Sequence, residues 1–275
     1  MSVQSSFDAI VLAGYDPDRP DPLVEQSGEP HKVLLRLAGK PMIEYVVKAL
    51  ASSERVGRIV IVGVDPIDGL DCDRELHYLP NLNSLFDNAY SGVTLCASWQ
   101  DPERQILLTS GDIPLLTGEQ TTWFIDACQP YDKDAYIGAV EKSVMERTFP
   151  ESRRTYVRLV EGRFCNGGLY LARLEAALRR QGMIRDLVDN RKNVFRQIRM
   201  LGLPALLKFV FHRLQMDDLV KITQRILQLE VAPIYLPFAE SGMDVDKPHQ
   251  LAQAETYLQH QATSRATPHT GAIPD

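Results

Sequence analysis

"DAIVLAGYDPDRPDPLVEQSGEPHKVLLRLAGKPMIEYVVKALASSERVGRIVIVG", Asp8–Gly63, decides the fold. It opens on an apolar, β-branched run, Ala9 to Ala13, that stops at Gly14 and reads as a strand. An acidic, proline-broken loop follows, and the chain recovers at His31 and Lys32. Met42, Ile43, Val46, Val47 and Leu50 then recur at three- and four-residue spacing, which predicts a helix with one buried face. "VGRIVIVG" is a second strand. Strand, helix and strand in that order cannot be a hairpin, so the two strands are expected to lie parallel.

The pattern repeats outward. "SLFDNAYSGVTLCASWQ" reads as a helix, "QILLTSGDIPLL" as a strand with a turn, "EQTTWFIDACQ" as a helix and "AYIGAVEK" as a strand. The expected fold class is α/β, a mainly parallel sheet with helices on both faces, and ligands of such sheets sit at the carboxyl ends of the strands. Gly14 and Asp112 both fall there, each directly after an apolar run. "TYVRLVEGRFCNGGLYLARL" reads as a hairpin-like pair, Glu175 to Glu230 as a long helical stretch, and "VAPIYLPFAESGMDVDKPHQLAQAETYLQ" as a strand, a loop and a closing helix. One domain over 7–258 is expected, with a helical insertion at about 175–230. From 261 to 275 the chain is aperiodic Thr, Pro, Ala and Gly, and is expected to be disordered.

The 275 residues, 44% of them hydrophobic, can fill a sizeable core. A net charge of −6 and a pI near 5.6 argue against a general nucleic-acid binder, so any polyanion site must be local. Cys72, Cys96, Cys128 and Cys165 are widely spaced and read as reduced thiols, mostly core, of a cytoplasmic protein. The N-terminus lacks the basic region and long apolar run of a signal sequence, and no apolar stretch approaches the roughly 20 residues of a membrane span.

The opening loop matches neither GxxxxGK[ST] nor GxGxxG, which removes the P-loop and the dinucleotide fingerprint. What remains is a strand ending Leu12-Ala13-Gly14, a loop with Arg19, then Lys32 and "VLLRLAGKPMIEYVV". Here the sequence resembles the nucleotidyltransferases of the MobA-like and sugar-phosphate nucleotidylyltransferase kind, over about 7–175 and 230–258. The resemblance implies a three-layer α/β/α, Rossmann-like domain in which Leu12, Ala13, Gly14, Arg19 and Lys32 bind the nucleotide. Arg19, Lys32 and Asp112 are the implied catalytic residues. Tyr15 and Pro17 stand where the family has small residues, and the stretch from Arg19 to Lys32 is longer than usual. Physically, such a loop needs backbone N–H groups and cations converging on phosphates.

Asp112, in "SGDIP", matches the aspartate that binds Mg²⁺ (or Mn²⁺) in that family, a hard cation suited to carboxylate oxygens. In "MDVDKPHQL", Asp246 corresponds to a second metal ligand and is preferred to Asp244; a helix N-cap role for Asp246 is compatible with it. Asn166, in "FCNGGLY", and Arg154 are candidates for acceptor contact, and Ser91 for the nucleotide. The implied reaction moves NMP from an NTP to a small phosphorylated acceptor and releases pyrophosphate. Two alternatives stay open: a non-catalytic nucleotide-binding module, and a nucleotide-sugar glycosyltransferase whose Asp-x-Asp pair would be Asp244 and Asp246.

The resemblance does not explain the insertion. From Arg173 to Arg225 there are 12 Lys and Arg against 5 Asp and Glu. Within it, Leu203, Leu206, Leu207, Val210, Phe211 and Leu214 fall at helical spacing, with Lys208, His212 and Arg213 among them. A basic amphipathic helix of this kind can lie on an anionic membrane surface, cover the site and receive an anionic acceptor, or pack on the domain or on a second subunit.

Overall fold

The structure, a computed structural model, describes residues 6–18, 21–70, 72–99, 103–189 and 202–266. In chain order the elements are β1 (Phe7–Leu12), α1 (Pro22–Ser27), the short strands β2 (Arg36–Leu37) and β3 (Lys40–Pro41), α2 (Met42–Ser52), β4 (Val56–Val62), β5 (Leu76–Leu79), α3 (Leu85–Ala97), β6 (Gln105–Ser110), α4 (Gly118–Ala127), β7 (Ala135–Glu141) and α5 (Lys142–Thr148). They continue with β8 (Val157–Arg158), β9 (Arg163–Arg173), α6 (Leu174–Arg179), α7 (Gln181–Asp189), α8 (Leu203–Val210), α9 (Met216–Leu227), β10 (Val231–Leu236) and α10 (Pro248–Ala266).

Among the described residues the main sheet has eight strands, seven of them in the order β10-β7-β9-β6-β1-β4-β5, with β8 paired to β9. All neighbours are parallel except β9, which runs antiparallel between β6 and β7, and β8. β1 is central, and Phe7 to Val11 are buried on both faces, which explains a continuous apolar run where a half-exposed strand would alternate. On α2 all five residues of the expected stripe are fully buried, each worth roughly 1.5–3 kcal/mol. On its outer side Glu44 pairs with Lys48 and with Lys40 of β3. β10 returns to pair with β7, so the helices from α6 to α9 are an insertion between two strands of one sheet.

Three expectations about ends need correction. The run Leu203 to Leu214 is not one amphipathic helix: α8 stops at Val210, and His212 takes the left-handed conformation (φ 55°). Ala205 and Leu214 are buried with Leu159, Phe164 and Ile222, whereas Leu207, Val210 and Phe211 face solvent, because the turn rotates Leu214 off the helical face. The long helical stretch is likewise divided at Arg180 and Gly202, and residues 190–201 lie outside the described residues. The disorder expected from 261 is not found over 261–266. α10 continues to Ala266, carried by good helix formers and by Thr263 donating to the Gln259 carbonyl at 3.0 Å; 267–275 lie outside the described residues.

Gly63, just past β4, holds φ 109°, and a Cβ there would meet the N and Cα of Gly14 at 2.3 Å. Only glycine suits both the backbone and the space. Gly63→Ala should lower stability by roughly 2–4 kcal/mol, combining the left-handed penalty with backbone displacement. Chemical denaturation monitored by circular dichroism checks it; an unchanged midpoint would show that the close approach is not constraining.

Candidate active site

β1 and β6 end side by side, and the site grows from that edge. The Gly111 N–H donates to the Leu12 carbonyl (2.9 Å), and the Val245 N–H donates to the Asp112 carbonyl (2.9 Å). The first bond ties the Leu12-Ala13-Gly14 turn to the Asp112 turn. The second docks the late segment carrying Asp244 and Asp246 onto both. Three stretches far apart in sequence thereby meet at the carboxyl end of the sheet.

Lys32 is where they converge. It begins a 3₁₀ turn, Lys32–Leu34, anchored by buried Val33, and its Nζ lies 2.5 Å from Asp112 Oδ2 and 2.7 Å from Asp246 Oδ1. Burial pulls the Lys32 pKa down, but the two carboxylates outweigh it and hold the ammonium above the ordinary lysine range. Burial pushes the Asp246 carboxyl up, yet Lys32, with Arg154 and Lys247 beyond it, keeps it below the usual value. The Asp246 N–H donates to Gln250 Oε1 at 2.9 Å, which orients the start of α10.

The long loop does not carry Lys32 away from Gly14. Tyr15, at its start, stacks on His31, at its end, with ring centroids 4.3 Å apart. The intervening chain is an excursion holding α1, capped by Asp21, whose carboxylate accepts from the Leu23 N–H at 2.9 Å. Arg19 lies outside the described residues.

Behind Gly14 stands Asn88, which sequence reading missed. A Cβ on Gly14 would fall 2.0 Å from Asn88 Nδ2. Asn88 is buried on α3; its Nδ2 donates to Asn81 Oδ1 (2.9 Å) and its Oδ1 accepts from the Leu82 N–H (2.7 Å). Asparagine inside a helix is unfavourable, so one four residues before Gly92 and two after Phe86, on the buried side of the helix, takes a bonded role. Ser91 is not brought to the cleft, contrary to expectation. One turn further along α3, its hydroxyl donates back to the Asn88 carbonyl (2.8 Å), and Asn83, Ser84 and Asn88 line the cleft instead.

Arg154 and Asn166 line the same cleft, which measures about 1370 Å³ and runs from Gly14 and Lys32 across the sheet. Arg154 is mostly buried, pairs with the Asp244 carboxylate, and leaves its Nε without a partner. Asn166 is exposed, and its Oδ1 accepts from the Gly168 N–H at 3.1 Å. Asp244 and Asp246 therefore take different cations, which accounts for their alternation and weakens an Asp-x-Asp reading in which both face one ligand.

Asp112 and Asp246 approach one point from two sides, and Asp112 Oδ1 is buried without a hydrogen-bond partner. Such a pair fits a hard divalent cation that completes its shell with phosphate oxygens and water. Among the described residues no group of three His, Cys, Asp or Glu side chains could hold a metal by itself. The cysteines are unpaired; Cys96, Cys128 and Cys165 are buried, and burial pushes the Cys96 thiol up to about 12, as core thiols require. No helix among the described residues is long and apolar enough to cross a membrane.

No curated protein matches the chain. Among solved structures it is similar to a hypothetical transferase from Thermus thermophilus, with 30% identity, a TM-score of 0.78, and coverage of 90% of this chain and 99% of that one. The fold is shared with CMP:2-keto-3-deoxy-manno-octonic acid synthetase complexed with CTP (15% identity, TM-score 0.55, 94% of this chain and 100% of that one). It is shared as well with 4-diphosphocytidyl-2C-methyl-D-erythritol synthase from Anaerococcus prevotii (12% identity, TM-score 0.54, 93% and 99%). Strands β4 to β9 of the sheet, the turn after β1 and the Asp112 turn all lie within residues 9–194, which match the model of the MobA-like NTP transferase domain, and the chain belongs to that family.

Proposed function

We propose that the protein transfers NMP from an NTP to a phosphorylated acceptor with release of pyrophosphate. The observation that carries this reading is the convergence of Lys32, Asp112 and Asp246 beside the bare backbone of Gly14. In the reaction an acceptor phosphate oxygen forms a bond to the α-phosphorus while the bond from that phosphorus to the bridging oxygen breaks, so the leaving group is pyrophosphate. No covalent intermediate with the protein is needed, and the work is positioning and charge neutralisation. Gly14 lets the triphosphate approach the main chain, Lys32 supplies a mobile positive charge, and Arg154 faces the acceptor side with an unfilled donor. Asp112 and Asp246 would hold Mg²⁺ or Mn²⁺, which neutralises phosphate charge and orients its oxygens.

The test is pyrophosphate release from each NTP, beginning with CTP, the nucleotide bound in one of the solved structures of this fold. Phosphorylated acceptors and their dephosphorylated counterparts are compared. Release that requires both NTP and acceptor is expected. NTP binding without release in every combination would make the protein a non-catalytic nucleotide-binding module.

A further inference from the structure

The cleft is larger than the roughly 300–1,000 Å³ that serves one small ligand, and its far half is apolar. One wall is the sheet. Leu108, Tyr170 and Ile137 stand in register across β6, β9 and β7, on one face, and Ile137 keeps 36% exposure on a strand bordered on both sides. The opposite wall is α7. Ile184, Leu187 and Val188 line the cleft from there; Met183, Ile184 and Leu187 pack in part against Leu227, Leu229 and Val231, and no residue of α7 is fully buried. A helix with an apolar face ordinarily closes on its sheet. Among the described residues the two apolar walls leave a gap that opens into the same cleft as Lys32, Arg154 and Asn166.

A second observation lies on the same strands. The α8–α9 turn packs through Ala205 and Leu214 against Phe164 of β9 and Ala139 of β7, and presents Leu207, Phe209, Val210 and Phe211 to solvent, Phe211 at 68%. His212 and Arg213 follow directly, and Lys208, within the patch, pairs with Asp218 at 2.6 Å. Four exposed apolar side chains within residues 207–211, with Lys208 and Arg213 beside them, fit an anionic lipid surface.

Resting on the nucleotidyl-transfer reading, we propose that the acceptor is a lipid phosphate drawn from an anionic bilayer. Its phosphate lies by Arg154 and Asn166, its chain lies between the sheet and α7, and the tip of α8 rests on the membrane. Tyr170 joins the two halves: its ring belongs to the apolar row, and its hydroxyl lies toward Asn166 and Asp112.

The probes are monoalkyl phosphates from ethyl to decyl, used below their micelle concentrations with the full chain. Binding is measured by calorimetry without nucleotide, and pyrophosphate release is measured with NTP. Affinity is expected to rise about 3–4-fold per added methylene, the ~0.8 kcal/mol of a buried CH₂, until the gap is filled, and Val188→Glu should flatten the rise. Binding that does not change with chain length overturns the proposal, whether or not pyrophosphate is released from other acceptors. A chain-length rise without pyrophosphate from any NTP sustains the lipid site and overturns nucleotidyl transfer instead. In parallel, the protein should sediment with phosphatidylglycerol vesicles at low salt, and Phe211→Glu should reduce that binding about tenfold or more. Equal partition of wild type and Phe211→Glu overturns the bilayer as the source.

Discussion

Asp112→Asn should leave the protein folded and lower NTP-dependent pyrophosphate release by about 10²–10³-fold. The change is nearly isosteric, so the β6 turn and the backbone bond from Val245 survive. What disappears is the full charge beside Lys32 Nζ and the acceptor character of the buried, unpartnered Oδ1. An amide offers one oxygen and a pair of donors, and a donor aimed at a phosphate-bound cation repels it. Asp246→Asn should fall in the same range, with a somewhat smaller loss because that carboxylate is half exposed and water can replace part of it. Steady-state kinetics with a melting curve for each variant checks both. Near wild-type turnover in the two variants would remove these carboxylates from the reaction.

Lys32→Met should separate two properties that ordinarily fall together. Transfer should drop by roughly 10²-fold, since the one cation poised between the carboxylates is gone while its apolar stem is kept. Binding of Mn²⁺, followed by electron paramagnetic resonance, should tighten, because the ammonium and a divalent ion compete for the same two carboxylates. The pH dependence of stability follows from the same triad. Asp246 has a lowered native pKa, so its contribution is complete above the unfolded value of about 3.9 and is lost as pH falls through the native one. Lys32 has a raised native pKa, so its contribution is complete below about 10.4 and is lost as pH rises through the native value. The Tm difference between wild type and Lys32→Met should therefore be constant from about pH 5 to 9 and shrink below about pH 4. A difference that does not shrink at any pH below 4 would mean that Lys32 stabilises by packing alone.

The sheet was legible because central parallel strands, buried on both faces, write themselves as unbroken apolar runs, and α2 because one face of it is entirely core. Gly14, Lys32 and Asp112 were legible because each stands at the end of such a run or on a recognisable turn. Ser91 against Asn88 shows where this stops. Both lie on α3, and which one faces the cleft depends on the rotation of the helix, which the Asn81 partnership fixes and local spacing does not. Nothing near Arg154 in the sequence announces its partner, because Asp244, which takes its guanidinium, arrives from a distant segment. The end of α8 was misread for a related reason, since a left-handed residue at His212 leaves no trace in hydrophobic periodicity.

The bond between Lys32 and Asp246 spans 214 residues. During synthesis at roughly 5–20 residues per second, about 10–40 s separate the appearance of one partner from that of the other. Through that interval β1, β4 and β6 can already pair and Lys32 can already meet Asp112, but the second carboxylate has not been made. A ribosome-bound chain stalled before β10 should therefore hold a formed turn at Gly14 and no competent triphosphate site. Under the proposed nucleotidyl transfer, the nascent protein should engage nucleotides only after the segment that orders α10 has left the exit tunnel.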